Sequence, residues 1–224
     1  MDASLNNIRI VTSKTADDMK QFAEYANNAA KALSTTTTKY TDASLIYYQQ
    51  GLTDEEVKDR TETTINMAAV SQQDAQTTSE QLTAIWNNFY DGSKSLEYYA
   101  DVMARLGAET ASSSDEIATG IQKFASVADT VGLSYEYAAS ALATLTSNTR
   151  ESASVVGTAL RTLFTRFQGL KFGETLEDGV DLNKYSQALA NVGIQVLDVN
   201  GNLKNMDTLL EDTAARWDSL TQAQ

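Results

Sequence analysis

The fold is decided by residues 82–145, which read LTAIWNNFYDGSKSLEYYADVMARLGAETASSSDEIATGIQKFASVADTVGLSYEYAASALATL. Apolar residues recur here at the three- and four-residue spacing of one buried helix face, between turns rich in serine, glycine and aspartate. The four stripes are Leu82, Ile85, Trp86 and Phe89; Leu96, Tyr99, Met103 and Leu106; Ile117, Ile121, Phe124, Ala128 and Val131; and Ala138, Leu142 and Leu145. The first three are followed by Gly92, Gly107 and Gly132, which are suited to end a helix. The stretch therefore predicts four amphipathic helices.

The same spacing continues on the N-terminal side of this stretch. One helix is expected over residues 16–33 and another from Thr41 to Gly51. Between them lies STTTT, residues 34–38, whose β-branched side chains and competing hydroxyls disfavour a helix, so we expect a connector there. Residues three apart that can cap a helix start are Thr15 with Asp18, Thr53 with Glu56, and Ser113 with Glu116.

Residues 152–168 predict a helix with an unusually broad apolar surface. Its apolar residues are Val155, Val156, Ala159, Leu160, Leu163, Phe164 and Phe167. A stripe this wide indicates a helix that is packed between neighbours or that contacts a partner chain. The segment that follows, GLKFGETLEDGVDLN, combines three glycines with four acidic residues and predicts a loop at 171–181.

The remaining residues predict a helix, a β-hairpin and a final helix. The helix covers 182–191, and Asn200-Gly201 between alternating apolar residues is typical of a two-residue hairpin turn, here near 194–204. We therefore expect a predominantly all-α protein with a helical domain over 1–170, the loop 171–181, and a helix–hairpin–helix subdomain over 182–224. An irregular multi-helix bundle and a short array of helical hairpins both fit this pattern.

The composition excludes several classes of chemical site. The chain has no cysteine and no histidine, which removes thiol nucleophiles, histidine bases and most zinc, haem or iron–sulfur sites. DVNGN at 198–202 resembles a calcium loop only superficially, because its glycine is fourth rather than sixth and Leu209 stands where the glutamate should be. Adjacent acids such as Glu55-Glu56 fall in the first turns of predicted helices, where they offset the helix dipole. We expect no catalytic residue, cofactor or metal ion, and no enzymatic activity.

The charge and hydropathy patterns argue against two classes of partner. A formal net charge of −13, from 30 acidic and 17 basic residues, disfavours phosphate backbones and anionic membrane surfaces. The longest uncharged runs, 137–149 and 185–197, are shorter than the roughly 20 apolar residues of a spanning helix. We therefore expect neither nucleic-acid binding nor membrane insertion by these residues.

Three segments of the sequence, in this order along the chain, resemble a known family. They are residues 5–57, which begin LNNIRIVTSKTADDMKQFAEYANNAAKALS; residues 81–145, which begin QLTAIWNNFYDGSKSLEYYADVMARLG; and residues 156–210, which begin VGTALRTLFTRFQGLKFGETLEDGVDLNKYS. Together they are similar to phage tail tape measure proteins, and more narrowly to the minor-tail domain of siphophages and prophages of Gram-positive bacteria. The resemblance covers nearly the whole chain and contains no catalytic signature.

The resemblance implies a structural protein of the virion tail that is present in the host cytoplasm during assembly. Members of the family are far longer than this chain, are largely helical and set tail length, so we expect this chain to be one folded segment of such a protein. The implied partners are other tape measure copies, the tail tube, the tail assembly chaperone and the distal tail proteins. The implied function is therefore a module for tail length determination and tail assembly, acting through protein–protein contacts as an oligomer in the tail.

The residues expected to pack or to face a partner are the large apolar members of the stripes. They are Trp86, Phe89, Ile121, Phe124, Leu160, Phe164, Phe167 and Trp217. The alternative function is a free-standing helical protein-binding or adaptor domain without catalytic activity, which the generic composition also fits. An enzyme is the third alternative, and it would have to work with carboxylates, tyrosine, lysine and serine in the absence of any convergent motif.

Overall fold

The structure, a computed structural model, describes residues 2–170 and 183–221. Within these ranges the chain forms eleven α-helices and one isolated β-bridge, so the predicted all-α class is confirmed. In chain order the helices are Asp2–Thr12 (α1), Ala16–Ala32 (α2), Thr37–Gln49 (α3), Asp54–Ser71 (α4), Ala75–Phe89 (α5), Leu96–Glu109 (α6), Ser114–Thr130 (α7), Tyr135–Thr149 (α8), Ala153–Leu170 (α9), Asn183–Asn191 (α10) and Met206–Trp217 (α11).

Two helices begin at the capping boxes that the sequence predicts. The Thr15 hydroxyl accepts from the Asp18 N–H at 3.2 Å, and the Asp18 carboxylate accepts from the Thr15 N–H at 3.0 Å. Thr53 and Glu56 make the same reciprocal pair at 3.4 and 2.8 Å. The hydroxyl and N–H of Thr15 hold the pKa of Asp18 below its ordinary value, and the N–H and hydroxyl of Thr53 do the same for Glu56. Charged carboxylates therefore fix the starts of α2 and α4.

Two predicted helix bounds were wrong. Helix α3 begins at Thr37, inside the threonine run, rather than at Thr41. The Thr36 hydroxyl caps the helix by accepting from the Lys39 N–H at 3.2 Å, and the Thr41 hydroxyl donates to the Thr38 carbonyl at 3.0 Å, so the hydroxyls support the helix instead of competing with it. Helix α6 also continues past Gly107 to Glu109.

The chain separates by its internal contacts into two compact units, Met1–Thr119 (unit 1) and Gly120–Gln224 (unit 2). This division falls within α7, whereas the sequence places a boundary at 171–181. That predicted loop lies outside the described residues, so the predicted domains 1–170 and 182–224 stay a prediction.

Helix α3 is central to unit 1, where it packs against α1, α2, α4 and α5. Its buried face carries hydroxyl groups, and two of them are paired with hydroxyls of α4. The Tyr47 hydroxyl lies 2.6 Å from the Thr64 hydroxyl, and the Ser44 hydroxyl lies 3.2 Å from that of Thr61. Burial raises the pKa of Tyr47 to about 12. Tyr47 is therefore a core residue whose hydroxyl is hydrogen-bonded.

Unit 2 has a more apolar core. Ile121, Phe124, Leu142, Phe164 and Leu209 are all buried, and the rings of Phe124 and Phe164 lie 5.8 Å apart between their centroids. Helix α9 packs against α8 and against α10. This core joins α7, α8, α9 and α11.

The predicted hairpin is present as one bridge, between Leu197 and Leu203. Its turn differs from the prediction, because the Asp198 N–H donates to the Asn202 carbonyl at 2.8 Å and encloses three residues rather than two. The Gly201 N–H donates to the Asp198 carbonyl at 3.1 Å, and Gly201 has φ +82°. This is the three-residue loop in which glycine takes the left-handed position after a turn. Asn200-Gly201 thus marks the hairpin correctly but closes a longer turn.

Candidate interaction surface

Helix α9 presents apolar residues on two of its sides. Val156, Leu160 and Phe164 are buried in unit 2. Val155 and Leu163 lie on a different side and are 54% and 39% exposed. The width of the stripe in the sequence comes from these two sides together, and one of them stays partly open to solvent within the described part of the chain.

The buried side of α9 approaches α7 unusually closely at a pair of glycines. A Cβ added to Gly157 would lie 2.4 Å from the carbonyl oxygen of Gly120, and a Cβ added to Gly120 would lie 3.0 Å from the Ala153 carbonyl oxygen. Cβ atoms in real structures almost never come within 3.0 Å of another heavy atom, so a side chain at Gly157 would not fit at 2.4 Å. The two glycines therefore let the backbones meet, which fixes the position of α9.

The open side of α9 forms one wall of an apolar groove, the unit 2 groove. Helix α10 with the residues after it and helix α11 form the other walls, and the groove has a volume of about 540 Å³. The residues that line it are Ala159, Thr162, Leu163, Arg166, Phe167, Ala188, Leu189, Val192, Ile194, Thr213, Trp217 and Leu220. Trp217 is 68% exposed, so its indole is available at the edge of the groove.

Helix α11 is held in place by contacts with the residue after α7, with the start of α8 and with the hairpin. The Met206 N–H donates to the Val131 carbonyl at 3.1 Å. The Asp207 carboxylate accepts from the Ser134 N–H at 3.1 Å at the start of α8. Lys204 pairs with Asp212 at 2.8 Å. These contacts leave Thr213 and Trp217 as the side chains that α11 presents to the groove.

The eight predicted residues fall into three places. Phe167 and Trp217 line the unit 2 groove, and Phe167 is half-buried. Ile121, Phe124, Leu160 and Phe164 lie in the core of unit 2, and Trp86 and Phe89 lie half-buried in unit 1. The groove also uses residues that the sequence analysis did not single out, notably Leu189, Val192 and Ile194. The three-residue spacing of Leu189 and Val192, at the end of the predicted helix 182–191 and just before Ile194, is the signal that could have indicated them.

A comparison of the sequence with known families decides what kind of protein carries this groove. The family described as Phage-related minor tail protein matches residues 27–224. The chain belongs to this family. The predicted resemblance is thereby confirmed at the level of a phage tail protein, and a structural role in the virion tail follows from membership. No solved structure matches the chain.

Unit 1 of this tail protein contains an aromatic cluster around Trp86. The Tyr90 ring stacks on the indole with centroids 3.8 Å apart, and the Arg60 guanidinium lies 4.2 Å from the indole centroid. Tyr99 meets the same indole edge-on at 6.2 Å. Burial lowers the pKa of Arg60. Neighbours inside unit 1 therefore cover the Trp86 indole, whereas the Trp217 side chain is 68% exposed.

Several acidic side chains of this tail protein serve local structure. The backbone N–H and hydroxyl of Thr77 hold the pKa of Asp74 below its ordinary value at the start of α5, and the backbone N–H groups of Asn202 and Asn200 lower that of Asp198 in the hairpin turn. Over residues 2–170 and 183–221 no three carboxylate side chains come together as a metal site would require. None of the helices described here has the length and apolarity needed to cross a bilayer.

Proposed function

We propose that this chain is a structural and assembly module of a tail tape measure protein. It contributes to tail length determination and tail assembly through protein–protein contacts, in the virion tail and in the host cytoplasm while tails are built. Membership of the minor tail family supports the tail role. The segments 5–57, 81–145 and 156–210 support the narrower tape measure assignment and an origin in a siphophage or prophage of a Gram-positive host.

The observation that carries the proposal is the unit 2 groove. An apolar groove of about 540 Å³ with a largely exposed tryptophan at its edge is a feature that a binding partner would cover. The proposed partners are other copies of the protein, the tail tube, the tail assembly chaperone and the distal tail proteins. We infer that the chain acts by binding them and not by catalysis, because the sequence contains no catalytic motif and carboxylates such as Asp18, Glu56 and Asp74 serve helix caps.

Tail length measured by electron microscopy tests the tape measure assignment. In a phage whose tail gene encodes this chain, an in-frame duplication within the long helical part of the proposed parent protein should lengthen the tail. The residues of the present chain are left unchanged in that phage. A duplication that leaves tail length as it was rejects the tape measure role, and it would favour a binding domain that has no part in length determination.

A further inference from the structure

The unit 2 groove is apolar along its walls, and its charged residues have one sign. Among the residues that line it, Arg166 on α9 carries the only charge. Helix α9 contains no acidic residue, although the whole chain has a net charge of −13. On α11 the guanidinium of Arg216 lies against Gly193, next to the lining residues Val192 and Ile194, since a Cβ on Gly193 would meet its Nη1 at 2.8 Å. Two arginines thus flank an otherwise uncharged groove.

The acidic residues of α11 are directed elsewhere. Asp207 accepts from the backbone of Ser134, and Asp212 is paired with Lys204. Burial raises the pKa of Tyr137 on α8, and the nearby carboxylates of Glu211 and Asp207 raise it further. All three carboxylates of α11 therefore lie toward α8 and the hairpin. Among the described residues that line the groove, the charge is therefore positive and lies on Arg166.

The walls of the groove also restrict the backbone of whatever binds there. Helices α9, α10 and α11 use their own backbone groups in intrahelical hydrogen bonds, and the N–H groups of Val192 and Ile194 donate to the Leu189 carbonyl, so these walls offer no row of free N–H groups with which an extended peptide could pair. An occupant that fills an apolar groove between helices must satisfy its own backbone. An α-helix does so, and it presents apolar side chains at i, i+3, i+4 and i+7 to such a groove.

We propose that the unit 2 groove binds an acidic amphipathic helix of another tail protein. Apolar side chains of that helix enter the groove between Leu163 and Trp217, and carboxylates on its flanks face Arg166 and Arg216. This inference rests on the proposed function, because it names the chemistry of the partner through which the chain takes part in assembly.

Designed peptides test the proposal with the full 224-residue chain. The probe is a fluorescein-labelled helical peptide of about twenty residues with leucines at i, i+3, i+4 and i+7 and glutamates on both flanks. One comparison peptide carries lysines in place of the glutamates, and another keeps the glutamates but has alanines in place of the leucines. Fluorescence anisotropy should give saturable binding of the acidic peptide, at least about fivefold tighter than that of the basic one, with the preference shrinking as salt rises.

Variants locate the binding site. Leu163→Asp should abolish binding of the acidic peptide, and Arg166→Glu with Arg216→Glu should reverse the charge preference. The matched control, Lys20→Glu with Lys123→Glu, makes the same change in net charge at exposed positions and should leave the preference unchanged. Circular dichroism of each variant confirms that the helices remain. Equal binding of the acidic and basic peptides, or an acidic preference that survives in the double arginine variant, overturns the proposal.

Two other possible occupants of the unit 2 groove would each give a different experimental result. If a second copy fills the groove, the chain alone should dimerise in analytical ultracentrifugation, with Leu163→Asp preventing it, and the acidic-helix proposal falls. The other possible occupant is a segment of the same chain, residues 171–182. In that case neutralising the four acidic residues of the segment should tighten peptide binding, and this result would also overturn the proposal. The four residues are Glu174, Glu177, Asp178 and Asp181. A failure of peptide binding leaves the tail-length test of the proposed function standing, so the two can fail separately.

Discussion

Replacing Gly157 by alanine should destabilise unit 2, although the same change stabilises an ordinary helix. In a helix interior, alanine is favoured over glycine by about 1 kcal/mol, because glycine loses more backbone freedom on folding. Gly157 differs because its added Cβ would lie 2.4 Å from the carbonyl oxygen of Gly120 and 3.1 Å from the carbonyl carbon. Both are backbone atoms of α7, so they cannot rotate out of the way.

The magnitude follows from the separation that the new methyl group requires. A carbon normally keeps about 3.3 Å or more from a carbonyl oxygen, so α7 and α9 have to move apart by roughly 0.9 Å at this crossing. A gap of that size forfeits about a quarter to a half of the dispersion energy of the contacts it opens. The Phe124–Phe164 contact joins the same two helices. We therefore take the upper part of the usual overpacking cost of about 1–3 kcal/mol, which leaves a net loss of about 1–2 kcal/mol after the helix gain.

Urea unfolding followed by far-UV circular dichroism measures this loss. With a slope of about 2 kcal/mol per molar, the midpoint should fall by about 0.5–1 M. Thr158→Ala is the matched control, since Thr158 is the exposed neighbour on the same helix and alanine there should be neutral or slightly stabilising. Hydrogen exchange should show faster exchange of α7 and α9 amides in the Gly157 variant. A midpoint for Gly157→Ala above that of the wild type would refute the close-crossing argument.

Three further predictions concern hydrogen bonds elsewhere in the chain. Tyr47→Phe leaves the buried Thr64 hydroxyl without its 2.6 Å partner, so it should cost about 1–3 kcal/mol in urea unfolding, and adding Thr64→Val should recover part of the loss. Asp207→Ala removes the acceptor for the Ser134 N–H and should lower the free energy of unfolding by about 1 kcal/mol. An unchanged urea midpoint would show that this hydrogen bond does not stabilise the fold. The pKa of Glu56 is lower in the folded chain than in the unfolded chain. The ionised Glu56 side chain therefore makes its full contribution to the free energy of unfolding above the unfolded pKa, and this contribution is lost as pH falls below about 4. Urea midpoints from about pH 7 to pH 3 should therefore fall less steeply in Glu56→Gln than in the wild type.

The sequence predicts the helices well because their signals are local. Capping pairs such as Thr15 with Asp18 act within one turn, and apolar stripes such as that of α7 report one buried face. The threonine run at 34–38 misled the prediction because the same hydroxyl can compete with a helix or cap it, and the outcome depends on which residue becomes the N-cap. Asn200-Gly201 indicated a turn, but the number of residues enclosed depends on the pairing of the two strands.

The candidate surface could be predicted only in part, because a stripe does not reveal which of its residues a neighbour covers. Leu160 and Leu163 belong to the same broad stripe, yet Leu160 is buried and Leu163 is partly exposed. The difference arises from the close crossing at Gly120 and Gly157, which turns one side of α9 toward α7. Trp86 and Trp217 likewise looked equivalent in the sequence. Arg60 and Tyr90 cover the first, a long-range arrangement that helical spacing does not encode.

The central claim is that this tail protein takes part in assembly through the unit 2 groove, and tail counts test it most directly. Phage lysates carrying Leu163→Asp are compared by negative-stain electron microscopy with lysates carrying Val70→Asp, which changes a 58% exposed apolar residue of unit 1 in the same way. Both variant proteins are first checked for abundance by immunoblot. The account predicts that Leu163→Asp leaves few or no complete tails, while Val70→Asp gives tails in normal number. Normal numbers of complete tails with Leu163→Asp would contradict it.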